Sequence, residues 1–420
     1  MQASVDSRRF ATQPAETDGC ANFADAEAAA MEELAAGLKE TTSQARGTRP
    51  PQHAVAIPVR NEAHRIVACI DALAAQHTIQ GQPFRAGQIH VVLLFNNCTD
   101  DSYALVKSRL ARWPIAITAY DMVLPEELCC AGHARRLANH AALRGLPCDG
   151  VLFMTDADSR VPPDWIGRYA ALIRGGCDAV AGTIELSPDD RDDIPPSLMH
   201  RIDLEARYEG LLDELESIVD PIACDPWPRH YGASGANIAV RAGAMRMLDG
   251  FPDVACGEDR RLMALLERND HRIRHDTQTR VLTSGRLFGR AVGGKADTLR
   301  HRVLVPEAAC DERLECAKTA LRRAALRSRL RSLWQQPEPA DVAIDALATE
   351  AGLAPASLWR LHATPHFGEA WSLLESHAAG LQRQAIHPSR LVLEIERCKE
   401  MIEALRGAGA SARACRELIA

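Results

Sequence analysis

Between residues 53 and 186, short apolar runs alternate with polar turns and amphipathic stretches. The runs are VAIPV (55–59), IHVVLLF (89–95), IAITAYDMV (115–123), VLFMT (151–155) and DAVAGTIEL (178–186). Between them lie IVACIDALAAQ, SYALVKSRLARW, AGHARRLANHAALRG and a stretch ending near Gly175, all with helical spacing. Unbroken apolar runs of this length predict strands buried on both faces. Helices between such strands predict parallel β-α-β units.

The alternation breaks after Leu186. An acidic, proline-bearing loop, SPDDRDDIPP (187–196), precedes the helical SLMHRIDLEARYEGLLDELESIV. An irregular segment, DPIACDPWPRHYGASGAN, leads into a strand IAVR, a helix AGAMRMLDG, the segment VACGEDRRLMALLERN and a strand near 278–284. From Glu307 onward the pattern is almost entirely helical. The expected organisation is therefore an N-terminal extension (1–50), partly helical (24–40) or disordered, then an α/β domain (53–300) and a helical C-terminal region (307–420).

Composition narrows the function classes. Hydrophobic residues make up 46% of the 420 and charged residues 25%, so a sizeable core is available. A net charge of −7 argues against general affinity for nucleic acid. No stretch reaches the about 20 apolar residues that span a bilayer. The N-terminus lacks the apolar core of a secretory signal, so the reading is cytoplasmic. The 13 cysteines are scattered, form no C-x-x-C pair and read as free thiols of a reducing compartment. The histidines show no H-x-x-x-H spacing, so no zinc site is read.

Candidate chemistry sits at the strand ends, where open α/β sheets bind ligands. Arg60-Asn61-Glu62, Asn96-Asn97-Cys98-Thr99-Asp100 and Asp156-Ala157-Asp158 each follow an apolar run. Asp156 and Asp158 project to the same side on leaving a strand. Two carboxylates that close repel unless a cation sits beside them. Oxygen ligands in a compact arrangement suit Mg2+ or Mn2+, whose remaining ligands are usually water and phosphate oxygens. A nucleotide diphosphate is the natural partner.

In this order the motifs resemble a soluble family 2 glycosyltransferase of the GT-A fold. VAIPVRNEAHRI resembles the opening strand and its P-x-x-N-E loop, and FNNCTDDS the D-G-S-x-D loop. AGHARRLANHAA resembles the G-x-A-x-A-x-N helix, and TDADSRVPPDW the D-x-D segment. GASGANIAVRAGAMRMLDGF is similar to the acceptor-side segment, and GEDRRLMALL to the catalytic E-D helix. The implied fold is a mixed, mostly parallel sheet flanked by helices, with the C-terminal helices appended. The implied reaction moves a sugar from a nucleotide-diphosphate sugar to an acceptor hydroxyl, with inversion and with Mn2+ or Mg2+. The acceptor is left open as a small metabolite, a lipid or a glycan.

The resemblance also implies residue roles. Pro58, Asn61 and Glu62 would line the base and ribose. Asn96 stands where the family has a base-binding Asp, and Asp100 fills the later Asp position. Gly132 and Arg135 or Arg136 would lie near the diphosphate, with Arg136 preferred. Asp156 would face the ribose or a metal-bound water, and Asp158 would bind the metal. Asp259 would take the acceptor proton, with Glu258 second. The family's His after the last core strand is missing from VLTSGR (281–286), where Ser284 or Arg286 would stand in. GRAVGGKADTL (289–299) would be a loop closing over the donor, and Trp227, Arg229, His230 and Tyr231 would meet the acceptor. The basic LRRAALRSRLRSLW (321–334) reads as a packed helix with a solvated basic face, peripheral membrane contact being the alternative. A nucleotidyltransferase of related fold lacks its G-x-G-T-R-like loop here. A noncatalytic sugar-nucleotide-binding module is the other alternative.

Overall fold

The computed structural model describes residues 18–37, 40–43, 50–191, 194–248, 251–286 and 294–419. Eight strands form one sheet: β1 (Glu40–Thr42), β2 (His53–Val59), β3 (Ile89–Asn96), β4 (Ala116–Met122), β5 (Val151–Met154), β6 (Ala179–Leu186), β7 (Ile238–Arg241) and β8 (Ile273–Thr283). Their spatial order is β1-β4-β3-β2-β5-β7-β6-β8. The pairs β2/β3, β3/β4, β2/β5 and β6/β8 are parallel. The pairs β1/β4, β5/β7 and β6/β7 are antiparallel. This is the expected mixed, mostly parallel sheet.

The period of two along a strand sends alternate residues to opposite faces. Ala54 and Ala56 of β2 join Val92, Leu94, Leu152 and Met154 in one core, with Ala134, Leu137 and Ala138 of the helix Ala131–Leu143. Val55 and Ile57 join Leu93, Phe95 and Phe153 in the other, under the helices Ile66–Ala74 and Trp165–Arg174. Asn237, just before β7, ties sheet to helix. It accepts from Trp165 Nε1 at 2.8 Å and Tyr169 OH at 2.7 Å, and donates to the Thr183 carbonyl at 2.7 Å.

Two strands differ from the sequence reading. The helix expected over 24–40 runs Asp18–Ala36, and the edge strand β1 follows it. The strand expected near 278–284 begins at Ile273, because β8 follows β6 through a register shift at Gly182/Thr183 that polar residues mask.

The helix Pro196–Val219 and the C-terminal helices share a third core. Tyr208, Leu212 and Leu215 pack with Leu321, Ala325, Ile395 and Ile402. The stripe expected on the helix Ala317–Trp334 is buried, but its basic face is not simply solvated. Arg323 pairs with Glu315 at 2.8 Å and Arg331 with Asp220 at 3.0 Å. These two arginines face carboxylates of the protein itself. Among the described residues, no helix is long and apolar enough to cross a membrane.

A close crossing fixes the last helices against the sheet domain. A side chain at Gly368 would meet the Glu267 carbonyl oxygen at 1.8 Å, so only glycine lets the helix Phe367–His377 approach the helix Glu258–Arg268 this closely. Asp270 holds the contact by accepting from the Phe367 and Gly368 N–H groups, each at 2.8 Å.

Candidate active site

One cavity of about 1540 Å³ runs along the carboxyl ends of β2, β3 and β5 and continues between the helices beyond. Pro58, Glu62, Asn96, Asp156, Asp158, Arg286, Glu258 and Asp259 all line it. The sequence-based expectation thus brings residues from distant parts of the chain to one place.

The first two loops brace each other. Asn61 adopts a left-handed φ of 55°, a conformation that Asn tolerates better than most residues. Its side-chain oxygen accepts from Thr99 N–H at 2.7 Å, and its amide donates to Thr99 Oγ1 at 3.1 Å. Asp100 accepts from Ala63 N–H at 3.1 Å and from Ser102 N–H at 3.0 Å. Ser102 Oγ in turn accepts from Glu62 N–H at 2.7 Å. Asn61 and Asp100, expected to touch the nucleotide, have their polar groups committed to holding the loops together. Asn96 differs from both: it is buried, lines the cavity, and its side-chain oxygen has no partner.

Asp156 and Asp158 follow β5, each beside its own arginine. Arg135 donates from Nη2 to Asp156 Oδ1 at 2.5 Å, from Nε to Glu258 Oε1 at 3.0 Å, and from Nη1 to the Gly235 carbonyl at 2.9 Å. Burial alone would lower the pKa of this guanidinium, but Asp156 and Glu258 hold it above the ordinary value. Arg286 donates to both carboxylate oxygens of Glu62, at 2.7 and 3.1 Å, and lies 3.2 Å from Asp158 Oδ2. Glu62, expected at the base and ribose, therefore faces the cavity while gripping Arg286. Arg65, pairing with Asp190 at 2.6 Å, adds a further positive charge near Asp158.

Burial, followed by the neighbouring Asp156 charge, pushes the Asp158 carboxyl up to about 6 despite Arg286 and Arg65. Burial and the Asp156 charge thus outweigh the two arginines at Asp158. Among the described residues no cluster of three His, Cys, Asp or Glu side chains forms a protein-only metal cage. The two carboxylates nevertheless suit Mg2+ or Mn2+, which take one or two protein oxygens and complete their shell with water and phosphate.

Two expectations need correction. Arg136 does not reach this site: it bonds the Phe251 carbonyl at 2.7 Å and pairs with Glu27. One helical position places Arg135 inward instead. Four residues on from Arg135 is buried Asn139, and four on from Arg136 is exposed His140, so helical periodicity carried the signal. Gly132 is explained by packing rather than by a diphosphate. A side chain there would meet the Val254 carbonyl oxygen at 2.0 Å.

Glu258 and Asp259 open the helix Glu258–Arg268, where carboxylates complement the helix dipole. Their environments differ. Glu258 is 8% exposed and tied to Arg135. Asp259 is half-buried, accepts from Gly235 N–H at 2.9 Å and Arg260 N–H at 2.7 Å, and keeps accepting capacity toward the cavity. Ser284 and Arg286, the two candidates for the place of the missing His, both line the cavity after β8. Of the expected 289–299 loop, residues 289–293 lie outside the described residues, and the rest is not a loop, since the helix Lys295–Leu304 begins there.

Of the expected acceptor residues, Trp227 is 44% exposed and outside the cavity. Arg229 is buried, and burial followed by the nearby His275 charge holds the His230 imidazole down to about 4. Tyr231 does line the cavity. Asp225 and His275, unnoticed in the sequence, form a buried pair at 2.8 Å beside it.

Cys130 also lines the cavity, at the start of the helix Ala131–Leu143. Its Sγ lies 3.0 Å from His133 Nδ1, and His133 Nε2 lies 3.3 Å from Asp253 Oδ1. Burial opposes thiolate formation, but the His133 contacts outweigh it and hold the thiol below its usual range. Iodoacetamide at neutral pH is therefore expected to modify Cys130 ahead of the exposed Cys148, because the thiolate is the nucleophile. His133→Ala should remove that advantage. Peptide mapping that finds Cys148 alkylated first would refute the pairing.

Residues 54–227 match the family model described as Glycosyl transferase family 2. No curated protein sequence matches the chain. Among solved structures, the chain is similar to S. aureus TarS 1-349 in complex with UDP-GlcNAc, at 13% identity, over 87% of this chain and 90% of that one, with a TM-score of 0.38. It is also similar to the mannosyltransferase PcManGT from Pyrobaculum calidifontis in complex with GDP-Man and Mn2+, at 14% identity, over 95% of each chain, with a TM-score of 0.37.

Proposed function

We propose, from the match of residues 54–227 to the Glycosyl transferase family 2 model, that this chain carries a family 2 glycosyltransferase domain and performs a metal-assisted, inverting transfer of a sugar from a nucleotide diphosphate to an acceptor hydroxyl. The observation that carries the proposal is the shared cavity. At one place it holds Asp156 and Asp158, two residues apart at the end of β5, and at another Asp259 with a carboxylate open to the cavity. Nucleotidyl transfer gives Asp259 no comparable task. A noncatalytic module would not need it either.

Each residue then has a part. Asn96 accepts from the nucleobase through its unpartnered oxygen. Arg135 fixes Asp156 and Glu258, and Arg286, clamped by Glu62, stands where a diphosphate oxygen needs a donor. Asp158 and Asp156 would hold the divalent ion, which would supply positive charge against that developing on the departing diphosphate. Asp259 takes the proton from the acceptor hydroxyl as its oxygen attacks the anomeric carbon. Attack opposite the leaving group, in one displacement, inverts that carbon.

A thermal-shift screen of UDP-, GDP- and dTDP-sugars, each with Mn2+ and with chelator, tests this reading. Ligands that bind the folded state raise its melting temperature. One nucleotide class should give a metal-dependent shift, and Asp158→Asn should lose it. The Mn2+ response should also depend on pH. Asp158 ionises near 6, so below that value the ion must displace a proton. Metal-induced stabilisation should be present at pH 7.5, fade through pH 6 and vanish toward pH 5. A shift that is equal in chelator, or unchanged in the variant, would remove the metal from the proposal.

A further inference from the structure

Beyond Asp259 the cavity continues into a chamber that the nucleotide site does not require. Its walls are the helices Pro196–Val219, Glu258–Arg268, Ala317–Trp334 and Phe367–His377. The last three lie past residue 227, where the family match ends. We propose that this chamber, closed by the C-terminal helices, is the acceptor site and that it takes a neutral, hydroxyl-rich acceptor, a carbohydrate. The inference rests on the glycosyl-transfer reading and adds the class and location of the acceptor.

The chamber holds polar groups whose hydrogen bonding is incomplete. Tyr231 OH is buried without a hydrogen bond, and Arg327 Nε, also without one, is left with a long ion pair to Asp220 at 3.5 Å. Arg313 has one ion pair, to Asp213 at 3.3 Å, and its guanidinium lies over the Tyr231 ring, 5.1 Å from the centroid. On the facing helix, Glu209 and Glu216 line the same space. Both act electrostatically on Arg313, and Glu216 also on Arg327, without a hydrogen bond to either. Native proteins leave few buried polar groups unsatisfied, and those in a cavity are what a ligand completes.

The mixture of signs selects the ligand. An acyl chain would strand both the guanidinium and the carboxylate groups at the cost of their desolvation. An anionic group would satisfy Arg313 and Arg327 but stand against Glu209 and Glu216. A sugar hydroxyl both donates and accepts, so one ring can serve an arginine and a glutamate together without bringing charge. Trp371 and Trp334 are also on the walls, and an aromatic ring suits the apolar side of a sugar ring. Asp259 lies on the same continuous cavity as the chamber.

The test uses the full chain, loaded with Mn2+ and the nucleotide sugar found by thermal shift, on an array of neutral, uronate-bearing and sulfated glycans. Neutral glycans are expected to bind. Arg327→Met, Glu216→Gln and Trp371→Ala should each weaken that binding about tenfold, the size of a lost hydrogen bond or stacking contact. All three should retain the nucleotide-sugar shift, which also shows that they are folded. Binding confined to uronate-bearing or sulfated glycans would overturn the inference. So would neutral binding that none of the variants weakens, or no glycan binding beside an intact nucleotide-sugar shift. Loss of that shift in the native chain would instead defeat the underlying reading of the donor site.

Discussion

Asp259→Asn is expected to lower turnover by about 10²–10⁴-fold, the usual contribution of a positioned general base, while leaving the nucleotide-sugar thermal shift intact. The substitution is nearly isosteric. The Asn carbonyl can keep accepting from Gly235 N–H, so the start of the helix Glu258–Arg268 stays in place. The amide cannot take a proton at neutral pH. Glu258→Gln makes the control, since Glu258 is buried against Arg135 and its carboxylate is committed there. That variant should lose stability before it loses chemistry. If Asp259→Asn keeps more than about a tenth of native turnover while a folded Glu258→Gln does not, the base is Glu258 and the assignment is reversed.

Both carboxylates could be read from GEDRRL, but their division of labour could not. It depends on Arg135, which sits 123 positions earlier and reaches Glu258 through the fold. The same holds for Arg286, whose grip on Glu62 spans 224 positions. Strand ends were legible because apolar runs stop sharply where the sheet meets solvent. What each polar end residue touches was not. Asn61 and Asp100 look like ligand contacts in a motif, yet their donors and acceptors are used between loops. Asn96 looks like a weakened version of the family's Asp, yet it is the one left with an unfilled acceptor.

The C-terminal helices show a second limit. Their apolar stripe was plain, so the packing of Leu326, Leu330 and Leu333 followed from periodicity. The direction of Arg323, Arg327 and Arg331 did not, because a basic stripe on a helix is ordinarily solvated. The helix Pro196–Val219, with Asp213 and Glu216 on the facing side and Asp220 just past its end, turns that stripe into the wall of a cavity. Likewise the antiparallel β7 could be found as an apolar tetrapeptide, but its direction comes from its place between β5 and β6.

Arg135→Met should be the most destabilising single change at the site, by about 3–5 kcal/mol, the range for removing one partner of a buried ion pair. Arg135 is 6% exposed, and its three donor nitrogens are all used. Methionine of similar length fills the space but leaves Glu258 charged, buried and alone. Asp156, at 35% exposed, can keep water and suffers less. The cost should therefore be centred on Glu258, and Arg135→Met combined with Glu258→Gln should recover a large share of it. Urea unfolding of the native chain, both single variants and the double variant gives the coupling between the two sites directly. Equal, additive losses would mean that Arg135 stabilises chiefly through Gly235 and Asp156. A large recovery would mean that the guanidinium is there to keep a carboxylate in place at the start of the helix that carries Asp259. In that case the double variant should fold well and still turn over slowly, because Asp156 has lost the group that orients it.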